Sequence, residues 1–188
     1  KWNVDSYFAG VVGYDELGNN VKKELESHNV HTQFMEVNYE KKTTSTFILA
    51  NKETTSRTQL MVEPEVYHLK KSDYDVIPDA IYTDGFEYSA TLSAFNKFPQ
   101  SISVLGAGLN YADTKEVIAL AKYAKYVIFS LEFACMVTKM KVDPDNGEHL
   151  FNLYKELKDL FPNSNNIVTL HNKGVLYSID GNVRVMPT

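Results

Sequence analysis

The chain has 188 residues, enough for one domain with a sizeable core, and its 44% hydrophobic and 23% charged content is that of an ordinary globular protein. A formal net charge of -5, with no basic cluster beyond pairs such as Lys22-Lys23 and Lys70-Lys71, argues against a duplex nucleic-acid surface. The single cysteine, Cys135, excludes an internal disulfide, no Cys/His array suggests zinc, and no apolar run approaches the length of a membrane span.

The start, Lys1-Trp2-Asn3-Val4-Asp5, is not a signal peptide and enters almost directly into an apolar run, which predicts a chain cut from something longer. Residues 6–13 predict a buried strand ending in Gly13. Asp15 then caps a helix whose apolar spacing is Leu17, Val21 and Leu25, and Asn29 ends it. From residue 31 to 63 the texture changes to alternating and β-branched. Thr43–Ala50 and Arg57–Val62 predict the two arms of a hairpin, read as an antiparallel excursion between α/β units.

The α/β rhythm then returns. Ala80–Thr83 predicts a strand broken by Asp84-Gly85, and Tyr88–Phe98 a helix stopped by Pro99. Ile102–Leu105 predicts the next strand, with a turn at Gly106-Ala107-Gly108 and a helix capped by Asp113. Tyr126–Phe129 predicts a strand, and Ser130 opens the helix after it. Residues 147–161 carry a leucine stripe at helical spacing. Ile167–Leu170 and Val175–Ile179 predict strands joined by a turn at His171–Gly174, and Asp180-Gly181 a tight hairpin to Asn182–Met186.

Several places could carry chemistry. Gly106-Ala107-Gly108 lacks the third glycine and the distal acid of a dinucleotide fingerprint, so a structural turn is the better reading. Thr169 to Gly174 is a strand end leading into a small turn, where a hydroxyl and a bare N–H could hold phosphate oxygens; the alternative is a hairpin turn needing Gly174 for its backbone. Ser130 is either an ordinary helix cap or a ligand on the same sheet edge. The hairpin of residues 43–62 is either a lid over a pocket or a dimer surface. Cys135, beside Met136 and Val137, reads as core. No GxxxxGK[ST] loop is present.

Taken as a set, these segments resemble the PfkB-type (ribokinase-like) carbohydrate kinases. Gly10 to Gly18 resembles the family's G-x-VG-x-D-x-x-G segment, Val30-His31-Thr32 its G-V-x-T step, Tyr126–Ala134 its DYVVxSEEFA stretch and Val168–Gly174 its VTLGxxG nucleotide turn. The resemblance implies a ribokinase-like, doubly wound α/β fold. Its sheet would be mostly parallel and flanked by helices, with a small antiparallel β lid. The whole chain, 1–188, would be one truncated domain with residues 31–63 as the excursion. It implies ATP-dependent phosphorylation of a sugar hydroxyl, with Mg2+ as cofactor and small-molecule sugar and nucleotide as partners. The cysteine usage fits the cytoplasm, and an open sheet edge or the hairpin predicts a homo-oligomer. Carried over by position, Ser130, Thr169 and Gly174 would meet the nucleotide, and Thr46 and Asp84 the sugar. No residue here fits the catalytic aspartate of the family's GAGD segment, no metal ligand is assigned, and Phe133 stands where an acid would complete an NxxE motif. Gly106 and Leu109 stand where relatives carry Asp and Arg, and His171 replaces the first glycine of the nucleotide turn. These departures predict a fragment without activity alone. The alternative is a non-catalytic relative acting as a binding or assembly module.

Overall fold

The computed structural model describes residues 4–53, 57–62, 68–70, 74–108 and 114–187, and the chain falls into two compact units that divide after Tyr74. In the first, β1 (Ser6–Gly13), α1 (Glu16–Ser27) and β2 (Val30–Asn38) form a β-α-β unit, with β1 and β2 in parallel register. A helical crossover is what lets consecutive strands run the same way. The strand at 30–38 therefore pairs with β1 rather than joining the hairpin. The antiparallel excursion is narrower than residues 31–63 and consists of β3 (Ser45–Ala50) and β4 (Arg57–Val62).

The turn into α1 shows why the glycine-rich segment has its spacing. Asp15 is the N-cap, and its Oδ1 accepts from the Gly18 N–H at 2.8 Å. The same carboxylate accepts from the Thr43 N–H at 2.8 Å and from its hydroxyl at 2.7 Å. Thr43 Oγ1 in turn accepts from the Gly13 N–H at 2.9 Å. A Cβ on Gly18 would strike the Gly13 carbonyl, and one on Gly13 would strike the backbone at Thr43. Both glycines are thus required by close backbone approach, and Asp15 ties the end of β1 to the segment leading into the hairpin. These hydrogen bonds hold the Asp15 carboxyl below the ordinary aspartate value, the Gly18 N–H contributing most.

The second unit is a six-stranded sheet in the order β10-β9-β8-β7-β6-β5. Its strands are β5 (Ala80–Thr83), β6 (Ile102–Ala107), β7 (Tyr126–Ser130), β8 (Asn165–Thr169), β9 (Val175–Ile179) and β10 (Asn182–Met186). β5 to β8 run parallel, and β9 and β10 fold back antiparallel. The connecting helices are α2 (Tyr88–Lys97), α3 (Thr114–Ala121), α4 (Leu131–Thr138) and α5 (Gly147–Leu160). Successive parallel strands are added in one direction, so right-handed crossovers put their helices on one face. The core follows from that. Leu105, Ala107, Val127, Phe129, Val168 and Leu176 alternate onto one side and pack against apolar residues of the helices such as Val117, Leu120, Leu153 and Leu157. On the opposite side of the same strands, Tyr82, Ile102 and Tyr126 are exposed.

Gly106 and Ala107 close β6 rather than forming a turn after it, Gly106 pairing with Ile128. A tertiary contact explains the glycine: a Cβ there would stand 2.6 Å from the Tyr82 hydroxyl. The cap expected at Asp113, and Leu109, lie outside the described residues. Cys135 is half-buried on α4, and burial pushes its thiol above the ordinary value, which fits packing rather than nucleophilic use. No helix among the described residues is long and apolar enough to cross a membrane.

Candidate functional site

Open parallel sheets bind ligands beyond the carboxyl ends of their strands, because the following helices start there and expose backbone N–H groups. In the second unit that edge is formed by the ends of β5 to β8. Ser130, the last residue of β7, is in direct register with Thr169, the last residue of β8. Both line one depression of about 270 Å³, together with Tyr82, Asp84, Gly106 and Gly108. Asp84, Ser130 and Thr169 are therefore brought together. Thr46 belongs to the other unit, where it is exposed on β3.

Each polar group at the rim also has a local role. Ser130 is the N-cap of α4, its Oγ accepting from the Phe133 N–H at 3.2 Å. Accepting leaves the hydroxyl proton of Ser130 free to donate. Thr169 donates its hydroxyl to the Phe129 carbonyl at a long 3.3 Å, so the proton can be redirected at low cost. Asp84 is exposed and Oδ1 accepts from the Phe86 N–H at 3.1 Å, closing the turn after β5.

Gly174 is buried and does not line the depression. It sits after a single 3-10 turn, His171–Lys173, with φ 105. A Cβ on it would strike the carbonyl of Met186, because the end of β10 passes against it. Both the backbone conformation and the close approach require glycine here, so the hairpin geometry alone accounts for the residue. The turn itself carries a histidine and a lysine, each beside an acid. His171 Nε2 lies 2.8 Å from Glu132 Oε1, in the first turn of α4, and Lys173 Nζ lies 2.6 Å from Asp145 Oδ1. Sequence reading did not find these pairs, since only the fold brings β8 and α4 side by side.

Magnesium fits poorly. Phe133, at the position for an acid, is buried in the core, and among the described residues no group of three or more His, Cys, Asp or Glu side chains could hold a metal ion. Apart from the single carboxylate of Asp84, the polar groups at the rim are hydroxyls and backbone, which suit phosphate oxygens better than a hard cation.

The comparisons with known proteins bear on the whole chain. No curated protein matches the sequence. Among solved structures, a candidate ribokinase from Agrobacterium tumefaciens superposes with a TM-score of 0.81 at 18% identity, covering 99% of this chain and 60% of that one. A fructokinase from Vibrio cholerae, solved with fructose, ADP and calcium, gives 0.72 at 17% identity over 97% of this chain and 63% of that one. A ribokinase from Thermotoga maritima gives 0.69 at 20% identity over 97% and 59%. The fold is thus ribokinase-like, and the chain spans about three fifths of the length of these relatives. The family profile of the pfkB carbohydrate kinases matches residues 1–188, so the chain belongs to the pfkB family of carbohydrate kinases.

Proposed function

We propose that this chain is the nucleotide-shelf portion of a sugar kinase that moves the terminal phosphoryl group of ATP onto a sugar hydroxyl. The observation that carries this reading is the in-register pair Ser130 and Thr169, two hydroxyls at adjacent carboxyl strand ends lining one depression. On this reading Ser130 and Thr169, which line the depression, donate to phosphate oxygens, and Asp84 on the same rim faces the sugar; the turn ending in Gly174, which follows β8, borders the phosphates. The kinase works in the cytoplasm, where ATP is plentiful. No group of three or more His, Cys, Asp or Glu side chains among the described residues fits magnesium.

We further infer that these 188 residues are a fragment without turnover of their own. Its support is the three-fifths span relative to the solved kinases, and no residue here fits the GAGD aspartate that the family resemblance implies as the base. Phosphoryl transfer depends on positioned groups, and losing the base and its anion-stabilising neighbours costs several powers of ten in rate. The non-catalytic module has no separate support from the family match.

The test is a pair of measurements on the 188-residue chain. Calorimetry is expected to detect ATP binding that Thr169→Val weakens by about tenfold, the loss of one hydrogen bond to a charged group. A coupled assay over a sugar panel is expected to show no turnover. Unchanged ATP affinity in Thr169→Val would remove the shelf, and robust turnover would remove the fragment reading.

A further inference from the structure

His171 opens the short turn after β8. It occupies a backbone position with φ 52, a left-handed conformation that a glycine or asparagine adopts with less cost. Its side chain reaches from the turn to the first turn of α4 and meets Glu132 at 2.8 Å. Glu132 follows Ser130 by two residues, and His171 follows Thr169 by two. The His171–Glu132 contact therefore bridges the same two strand ends whose hydroxyls line the depression. Both side chains are about half exposed, 61% for His171 and 48% for Glu132, so a ligand can reach either. Lys173, bonded to Asp145, pins the other end of the turn.

We propose that His171 is a phosphate-contacting side chain and that Glu132 competes with the phosphate for it. This rests on the shelf reading above and names how affinity at that shelf is set. Imidazole Nε2 carries one hydrogen, so it serves the carboxylate or a phosphate oxygen, one at a time. An exposed pair of this kind is weak enough to be exchanged for a more highly charged partner. While it stands, the Glu132 carboxylate also places negative charge beside the path of an anionic ligand. Glu132 is thus an affinity-setting residue that acts through His171.

The experiment is ATP titration of the full 188-residue chain by calorimetry at low ionic strength. It compares the wild-type chain, Glu132→Gln, His171→Asn, the double variant, and Glu156→Gln. Glu156 is an exposed acid on α5, and its variant controls for net charge. Asparagine tolerates the left-handed backbone, so His171→Asn removes the imidazole without straining the turn. Glu132→Gln is expected to bind ATP about fivefold more tightly, the upper worth of an exposed ion pair. His171→Asn is expected to bind more weakly, the double variant to show little further gain, and Glu156→Gln to match the wild type. Glu132→Ala takes the place of Glu132→Gln if that variant melts early. ATP binding that is equal in the wild type and Glu132→Gln overturns the competition while leaving the shelf intact. A full gain retained in the double variant also overturns it, since Glu132 would then act by repulsion alone. Absence of ATP binding in every variant removes the shelf reading itself, and the competition with it.

Discussion

At the scale of single residues, two polar side chains carry opposite energetic signs. Asp15 accepts hydrogen bonds from two backbone N–H groups and one hydroxyl, and these hold its carboxyl below the ordinary value. A depressed folded-state value means that its stabilising contribution is complete above the unfolded aspartate range and is lost as pH falls through the folded value. Asp15→Asn is therefore expected to lower the melting temperature at neutral pH and to flatten the acid limb of the stability profile. A thermal-melt series across acid pH checks this, and an acid limb as steep as the wild type's would contradict it. Asn166 is the reverse case. It lies on the core face of β8, fully buried, with neither amide atom hydrogen-bonded. An unsatisfied buried amide costs roughly 1–3 kcal/mol, so Asn166→Leu is expected to raise stability by about 1 kcal/mol in chemical denaturation. A loss of stability instead would mean that the amide has a bridging water as its partner.

At the scale of elements, local pattern was enough where the period was clear. The strands at 6–13, 57–62, 80–83, 175–179 and 182–186 and the leucine-striped helix follow directly from alternation, turn residues and helical spacing. Pairing direction was not legible, because it depends on where α1 packs; β2 reads as part of an excursion until its register with β1 is seen. Gly106 likewise reads as a turn residue, since its reason for being glycine is the hydroxyl of Tyr82 on a neighbouring strand. Among the candidate site residues, the edge shared by Ser130 and Thr169 follows from strand–helix order, whereas the contact of Glu132 with His171 needs the folded chain. The hairpin adds an element-scale consequence. Phe47, Leu49 and Leu60 lie on one face of β3 and β4, and each is exposed. We expect that face to take part in self-association, and Phe47→Glu with Leu60→Glu to shift sedimentation toward the monomer. A wild-type chain that sediments as a monomer at high concentration would contradict this.

At the scale of the whole molecule, the two units differ in how they are built. The second has a continuous core on one side of its sheet and exposed apolar residues on the other. Such a face favours burial against a partner surface. The family membership goes with a ribokinase-like fold, and the proposed shelf lies at the in-register ends of β7 and β8. The most direct test of that edge is amide chemical-shift mapping of the 188-residue chain during ATP titration. The account predicts that the largest shifts fall at residues 130–133 and 169–174. Saturable shifts confined elsewhere, with these amides unmoved, would contradict it.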